Sequence, residues 1–93
     1  MNIGLVYTST TVVDSTNTAI ALGSGDMEVL ATPAMGALME NAAMNAVAPH
    51  LEDGQTTVGS HIETSHLKPS FIGTTVAATA TLTAVEGRKL TFT

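Results

Sequence analysis

One long helix is the feature that most restricts how this chain can fold. Between Thr32 and Pro49, apolar residues recur at helical spacing: Met35, Leu38, Met39, Ala42, Ala43, Ala46 and Val47. Spacing of i, i+3, i+4 and i+7 predicts an amphipathic helix with one continuous apolar stripe. Thr32 is suited to be its N-cap, Pro33 suits the first helical position, and Pro49 ends the helix. Because the stripe is mostly alanine, we expect another element to pack closely against it.

The last third of the chain favours strands. Thr74–Val85 alternates between apolar residues at even positions and mostly threonine at odd positions. That alternation predicts a strand in a sheet that is packed on one face and wet on the other. Glu86-Gly87 is a hairpin signal, so Lys89–Thr93 is predicted to return beside this strand.

Three other segments are also predicted to be strands. Thr56–Leu67 is predicted to place His66 on the same face as Ile62, the face that meets the helix, because side chains alternate along a strand. Strand character is weaker around Thr10–Val13 and Thr18–Ile20. The predicted architecture is therefore α+β, with one helix packed on the apolar face of an antiparallel sheet.

The size of the chain limits its core. It has 93 residues with one Tyr, two Phe and no Trp, so the core must be built from small aliphatic side chains and Met. Domains this short bury only about 60–65% of the surface of the unfolded chain. We therefore expect a single domain over residues 1–93 that associates at least as a homodimer, since open sheet edges favour pairing across a two-fold axis.

Composition argues against several functional classes. A net charge of -5 with only three basic residues argues against nucleic acid as a partner, because such binding needs several cationic contacts to phosphate. The lack of cysteine excludes a disulfide framework and a thiolate nucleophile. The N-terminal residues do not resemble a signal peptide, and no apolar run reaches the roughly 20 residues of a membrane span. No membrane partner is predicted, and the expected compartment is the cytoplasm.

Three side chains are candidates for acyl chemistry in one pocket. Thr32 offers a hydroxyl at the start of the helix, Glu40 a carboxylate on its flank, and His66 an imidazole at the end of a predicted strand. Together these groups can attack and break an acyl bond, because a hydroxyl needs a neighbouring base and a carboxylate can activate water. Each also has an ordinary alternative: an N-cap, a solvated surface charge and a structural histidine, respectively.

Several blocks of sequence resemble one known family in order and spacing. Val29–Met35 and Leu38–Glu40 look like the central-helix segment of the fluoroacetyl-CoA thioesterase-like family, within the hotdog-fold thioesterase superfamily. Thr57–Ser60 and Ser65–Pro69 look like its next strand, and Val85–Leu90 looks like its later hairpin. The resemblance implies a hotdog fold and a homodimer whose acyl-CoA sites lie at the subunit interface. It also implies hydrolysis of a small acyl-CoA thioester, with coenzyme A as part of the substrate and no separate cofactor.

The resemblance also assigns roles to individual residues. Thr32, Glu40 and His66 match the family's catalytic threonine, glutamate and histidine. Gly59 matches a glycine whose backbone N–H helps to hold the thioester carbonyl. Members selective for fluoroacetyl-CoA carry an aromatic gate before the helix, whereas Gly25–Glu28 contains no aromatic residue, so that selectivity is not implied. Members also continue past the hairpin with at least one more strand, so we expect either a fragment or a sheet closed in another way.

Several alternatives stay open at this point. Lys68 and Arg88 are candidates to meet the phosphates of coenzyme A, with solvated surface charge as the alternative. His61 and Glu63 share a face of the predicted strand, but two ligands are too few for a closed zinc site, so no metal is predicted. The competing functional hypothesis is a catalytically silent hotdog module that binds acyl-CoA or serves assembly only. A hotdog hydratase is less favoured, since no Asp…His pairing of the dehydratase type is present.

Overall fold

One long helix and three strands carry the fold. The computed structural model describes residues 1–93, with β1 at Val6–Val12, α1 at Ala19–Leu22, α2 at Thr32–Val47, a 3₁₀ turn at Ala48–His50, β2 at Thr75–Glu86 and β3 at Lys89–Phe92. The predicted long helix, the predicted strand after it and the predicted return strand are confirmed. None of the helices is both long enough and apolar enough to cross a membrane.

The strands form one antiparallel sheet in the order β1-β2-β3. β1 pairs with the first half of β2, from Val12 opposite Thr75 to Val6 opposite Thr81. β3 pairs with the second half of β2. The hairpin between them turns through Gly87, whose φ of 63° is adopted at little strain by a residue without a Cβ. The first half of β2 therefore has a strand on one side only.

α2 packs on one face of this sheet. Ala42, Ala46 and Val47 of α2 are buried, as are Ala80 and Leu82 of β2. All nine hydrophobic residues of the core are Ala, Val or Leu, so the core is aliphatic as expected, but none of the expected methionines is among its buried residues. The helix-on-sheet layering confirms the predicted α+β architecture of a hotdog fold.

The prediction of a strand at Thr18–Ile20 is wrong. Thr18 forms a bridge to Leu30, but Ala19–Leu22 forms the single turn α1. The Thr18 hydroxyl accepts a hydrogen bond of 3.2 Å from the Ala21 N–H, and the next residue after the turn adopts a left-handed conformation. A threonine cap and a left-handed glycine on either side of four residues favour a helical turn over continued strand pairing. The other weakly predicted strand begins earlier than expected, as β1.

The prediction of a strand at Thr56–Leu67 is also wrong. The segment has no regular secondary structure, and Val58 and Leu67 are 87% and 85% exposed. An alternating sequence specifies which way side chains point, but a strand also needs a hydrogen-bonded neighbour, and no strand of this chain pairs with the segment. His66 nevertheless lies half-buried against the start of α2, on the side that the alternation predicted.

Candidate active site

A hydrogen bond joins the Thr32 hydroxyl to the His66 imidazole. Thr32 Oγ1 lies 2.8 Å from His66 Nδ1. When the ring carries its proton on Nε2, Nδ1 accepts the bond from the hydroxyl and makes its oxygen more electron-rich. The structure therefore brings two of the three candidate residues together.

Thr32 is the first residue of α2 and not its N-cap. Ala31 occupies the N-cap position, no side chain caps the helix, and Pro33 is the second helical residue. The predicted capping role of Thr32 and the predicted position of Pro33 are wrong by one residue. Since the Thr32 hydroxyl does not bond a helix N–H, it is free to bond the imidazole.

The backbone on both sides of this pair is fixed. The Leu30 N–H donates to the Ser70 carbonyl at 2.8 Å, and the Ala31 N–H donates to the Asn17 carbonyl at 2.9 Å. Leu30 and Ala31 are 3% and 0% exposed. The residues before Thr32 are thereby anchored in the core, and the bond to Ser70 holds the segment that follows His66. Anchoring of both backbones reduces the conformational entropy lost when the side chains meet.

The carboxylate of Glu40 lies against the backbone of Gly59. A Cβ placed on Gly59 would overlap Glu40 Oε2 and would lie 3.2 Å from Glu40 Cδ. A residue without a side chain therefore lets the carboxylate occupy this position. The resemblance assigned Gly59 a backbone N–H role, whereas the structure adds a steric one. Sequence reasoning missed this role because it depends on the contact between two segments.

The two contacts lie along one side of α2. At about 100° and 1.5 Å per residue, Thr32 and Glu40 are roughly 80° apart around the helix and about 12 Å apart along its axis. Side chains on a helix lean toward its N-terminus, so the Glu40 carboxylate leans toward the end that carries Thr32. Hydroxyl, imidazole and carboxylate thus border one flank of α2, with no hydrogen bond between Glu40 and the other two.

The two candidate basic residues lie in different places. Lys68 is exposed, two positions after His66. Arg88 is exposed at the tip of the β2–β3 hairpin. The Thr32–His66 pair lies at the opposite end of the sheet, near the start of β2. At about 3.3 Å per residue, the 12 residues of β2 separate these ends by roughly 35 Å. A single chain therefore does not bring Arg88 to His66.

A polar network beside Glu40 was not predicted. The buried Ser9 hydroxyl donates a hydrogen bond of 2.7 Å to Asn41 Oδ1, and Asn45 Nδ2 donates to the same oxygen at 3.2 Å. These bonds tie α2 to β1 at the residue next to Glu40. Ser9 and Asn41 are 32 residues apart, and only the packing of α2 on the sheet makes them neighbours.

The carboxyl group with a shifted pKa lies outside this site. The hydroxyl and the backbone N–H of Thr16 donate hydrogen bonds of 2.5 and 2.8 Å to Asp14 Oδ1. These bonds, led by the hydroxyl, lower the pKa of Asp14 from its ordinary value of 3.8 because they stabilise the charged form. Asp14 is exposed in the turn after β1, so its shift reflects the turn and not the candidate chemistry.

Fold and site together define a hotdog-fold protein with a candidate hydrolytic site along the flank of its helix. A family model described as fluoroacetyl-CoA-specific thioesterase matches residues 13–93. The chain therefore belongs to the fluoroacetyl-CoA-specific thioesterase family. The family suggested by the sequence blocks is confirmed.

Individual relatives support the assignment. The fluoroacetyl-CoA thioesterase of Streptantibioticus cattleyicolor is 45% identical over 65 residues, which are 70% of this chain and 47% of that protein. The match thus spans about half the length of that relative. The solved structure of the fluoroacetyl-CoA thioesterase FlK is similar with a TM-score of 0.91 at 37% identity, covering 99% of this chain and 73% of that chain. A phenylalanine-to-alanine variant of FlK in complex with fluoroacetate and CoA gives a TM-score of 0.88 at 37% identity, covering 99% and 78%.

Proposed function

We propose that this protein hydrolyses a small acyl-CoA thioester with Thr32, Glu40 and His66. The observation that supports this most is the 2.8 Å hydrogen bond between Thr32 and His66, on the helix flank that also carries the Glu40 carboxylate. Membership of a thioesterase family adds support, as does the FlK variant solved in complex with acetyl-CoA, which is 36% identical to this chain at a TM-score of 0.91. Coenzyme A is part of the substrate in this proposal, and no separate cofactor takes part.

The proposed reaction adds water across the thioester bond. Glu40 takes a proton from water as the water oxygen bonds to the carbonyl carbon, and the carbonyl oxygen becomes an oxyanion. When the oxyanion collapses, the C–S bond breaks and the leaving thiolate receives the proton that Glu40 took. The products are the carboxylic acid and the free thiol of coenzyme A. General-base assistance of this kind is worth about 10²–10⁴ in rate.

Thr32 and His66 hold the thioester in this proposal. With the His66 proton on Nδ1, the imidazole donates to the Thr32 oxygen, and the hydroxyl donates a hydrogen bond to the thioester carbonyl. In an alternative route His66 takes the Thr32 proton as the threonine oxygen bonds to the acyl carbon; the C–S bond then breaks, and the thiolate takes that proton from His66. Water later hydrolyses the acyl-threonine to release the acid. Mass spectrometry of rapidly quenched enzyme distinguishes the routes, because only the second adds the mass of the acyl group to the protein.

Backbone N–H groups are suited to stabilise the oxyanion. The Gly59 N–H belongs to the residue that contacts Glu40, and the first turn of α2 presents N–H groups without helix partners. Both kinds of donor are preorganised, because they belong to the backbone. Loss of one such donor raises the barrier by about 3–4 kcal/mol in enzymes that use an oxyanion hole.

A homodimer fits the exposed apolar surface. Val58, Leu67 and Phe71 are apolar yet 87%, 85% and 59% exposed, and contact with a second copy would remove them from water. In this proposal Lys68 serves the site of its own chain and Arg88 serves the site of the partner copy. The cytoplasm is the proposed compartment. Light scattering at micromolar concentration tests the assembly, and a folded monomer would contradict it.

Selectivity for the fluorinated acyl group is not part of the proposal. The residues between α1 and α2 that precede Val29, from Gly25 to Glu28, are exposed and contain no aromatic side chain to close over the substrate. We expect acetyl-CoA and other small acyl-CoA esters to be hydrolysed with similar kcat/KM values. A preference for fluoroacetyl-CoA above about 100-fold would need a contact worth about 2.7 kcal/mol, which these residues do not offer.

A substrate panel with matched variants tests the proposal. Hydrolysis of acyl-CoA esters is followed by release of the free thiol for the wild type, Glu40→Gln and Glu63→Gln. We expect Glu40→Gln to lower kcat by about 10²–10⁴. Glu63 is a suitable control because its side chain is 87% exposed and its contact with His61, at 3.9 Å, is a surface pair of little energy.

Two outcomes would contradict the proposal. Hydrolysis by Glu40→Gln at the wild-type rate would remove the carboxylate from the mechanism. Binding of acyl-CoA by wild type without turnover, measured by calorimetry, would favour the silent hotdog module.

A further inference from the structure

Residues 59–66 contact one flank of α2 at three points. The three pairs in contact are Thr32 with His66, Gly36 with Ile62, and Glu40 with Gly59. Residue numbers rise along the helix while they fall along the segment, so residues 59–66 run antiparallel to α2. The contacts repeat every four residues of the helix, and positions at this spacing are neighbours on a helix surface. The segment therefore follows one row of α2 positions.

Gly36 is the middle position of this row and carries no side chain. At about 1.5 Å per residue, it lies roughly 6 Å along the helix axis from both Thr32 and Glu40. A Cβ placed on Gly36 would lie 3.8 Å from Ile62 Cδ1, which is ordinary van der Waals contact. The side chain that lies over the row between the proposed hydroxyl and the proposed carboxylate is therefore that of Ile62, which the segment supplies and not the helix.

Ile62 differs in chemistry from the groups on either side of it. The Thr32 hydroxyl and the Glu40 carboxylate bond polar atoms, whereas the isoleucine presents only aliphatic carbon. Apolar carbon of a substrate gains free energy when it leaves water for such a surface. Isoleucine is also β-branched, so its side chain has few rotamers and forms a stiff boundary. The row thus offers polar contacts at both ends and a fixed apolar contact between them.

We propose that Ile62 contacts the acyl group of the substrate and limits the length of the acyl chain. This inference rests on the proposed function and deepens it. In that function Thr32 binds the thioester carbonyl and Glu40 directs water to the carbonyl carbon, so this carbon lies between the two side chains. The acyl carbons attached to it then lie beside Ile62.

The position of Lys68 gives the direction of the coenzyme A arm. Lys68 follows His66 by two residues and is the proposed phosphate contact of the same chain. The arm therefore leaves past His66, at the N-terminal end of α2, and the acyl group extends the opposite way, toward Ile62. A longer acyl chain meets the isoleucine, which is held against the helix at Gly36 and has little room to retreat.

Truncation of Ile62 should lengthen the accepted chain by a defined number of carbons. Ile62→Val removes one carbon, the Cδ1 that contacts Gly36, and Ile62→Ala removes three. An acetyl group extended by three carbons is a pentanoyl group. A hydrophobic pocket discriminates between groups that differ by one methylene by about 10–200-fold. We therefore expect the ratio of kcat/KM for pentanoyl-CoA to that for acetyl-CoA to rise by at least about tenfold in Ile62→Ala, and by less in Ile62→Val.

Ile3→Ala is the matched control. Ile3 is 66% exposed, and the adjacent Gly4 N–H donates to the Leu82 carbonyl at 2.8 Å, seven residues along β2 from its first residue. Ile3 is thus at the other end of the sheet from the Thr32–His66 pair, and its truncation should leave the ratio unchanged. Both substrates are measured on the same preparation, so a loss of folded protein cancels in the ratio.

An unchanged ratio in Ile62→Ala would overturn the inference, as would an equal rise in Ile3→Ala. Ile62 is 48% exposed, so its variants should fold, which urea titration checks. If Ile62→Ala does not fold, Ile62→Val decides the question, with propionyl-CoA in place of pentanoyl-CoA because only one carbon is removed.

Analogues that cannot be hydrolysed separate this inference from the proposed function. In S-acetonyl-CoA and S-(2-oxohexyl)-CoA a methylene group separates the sulfur from the carbonyl, so no thioester is present. Calorimetry should show the same shift in Ile62→Ala, toward the longer analogue. That shift without any hydrolysis by the wild type would contradict the proposed function and support the role of Ile62. Hydrolysis with unshifted ratios, or failure of the wild type to bind either analogue, would overturn the role of Ile62.

Discussion

Substitution of Gly59 by alanine isolates the position of one carboxylate. The new Cβ would overlap Glu40 Oε2 and lie 3.2 Å from Cδ, while carbon atoms in ordinary contact are about 3.5–4.0 Å apart. The carboxylate must therefore retreat by on the order of 1 Å. A misplacement of about 1 Å at a catalytic group can lower the rate by about 10²-fold. That loss corresponds to about 2.7 kcal/mol of transition-state stabilisation.

Stability should respond much less than activity. Glu40 is exposed and makes no hydrogen bond or ion pair within the chain, so its retreat breaks no contact that holds the fold. Replacement of glycine by alanine where the backbone allows it stabilises by about 0.4–1 kcal/mol, because the unfolded chain has less freedom to lose. We expect Gly59→Ala to keep or slightly raise the free energy of unfolding, measured by urea titration, while kcat falls.

Gly36→Ala is the matched control for this variant. A Cβ on Gly36 would lie 3.8 Å from Ile62 Cδ1, which is ordinary van der Waals contact, and the residue is inside α2. Alanine there should stabilise the helix by up to about 1 kcal/mol and leave kcat/KM unchanged.

A double-mutant cycle shows whether Gly59 acts through Glu40. If the alanine acts only by moving the carboxylate, adding Gly59→Ala to Glu40→Gln should cause no further loss of kcat. Wild-type kcat in Gly59→Ala alone would refute the steric reasoning. An equal loss in both backgrounds would also refute it, since the backbone N–H of Gly59 would then be the group affected.

Three further predictions concern other parts of the molecule. Thr32→Val should lower kcat/KM by at least about tenfold, whereas Thr32→Ser should retain activity. Because Thr32 caps nothing, Thr32→Val should change the free energy of unfolding by less than the roughly 1 kcal/mol typical of a lost N-cap. A loss of stability without a loss of kcat/KM would contradict this prediction. Leu82 is fully buried, so Leu82→Ala should lower the free energy of unfolding by about 2–5 kcal/mol in urea titration. A change below about 1 kcal/mol would contradict this, because neighbouring side chains would then have filled the space that the leucine left. The pKa of Asp14 is lowered in the folded state, so its contribution to stability is present above its unfolded pKa of about 4 and is lost as pH falls through the lower folded pKa. Thr16→Val should flatten the dependence of melting temperature on pH below about pH 4, and an unchanged profile would contradict that assignment.

Local sequence patterns were sufficient to predict the elements whose partners lie within the chain. The stripe of α2 and the alternation of β2 each describe a face that packs on the other, so the pattern and the structure agree. Thr56–Leu67 shows the limit of such patterns. Its alternation is that of a strand, yet strand formation also requires a neighbour, and the strands that exist pair elsewhere.

The sequence predicted which residues belong to the candidate site, but it did not predict which of them contact each other. The sequence and the resemblance indicated Thr32, Glu40 and His66, and the structure joins the first to the third. The choice between N-cap and free hydroxyl for Thr32 depended on where the helix begins, a boundary that sequence patterns fix only to within one or two residues. The steric role of Gly59 depended on a contact across 19 positions, for which no local pattern exists.

The buried residues of α2 and the proposed site residues of α2 are different residues, the first packed in the core and the second exposed on the helix. Ala42, Ala46 and Val47, toward the C-terminal end, are buried against the sheet. Thr32, the first residue of α2, bonds His66, and Glu40, near the middle of the helix, lies on an exposed face against Gly59. Substitutions of the buried residues should therefore change the free energy of unfolding, whereas those of Thr32 and Glu40 should change the kinetics of the proposed hydrolysis. If the proposed site is right, stability and activity are separable in this chain, because one helix buries one set of side chains and exposes the other.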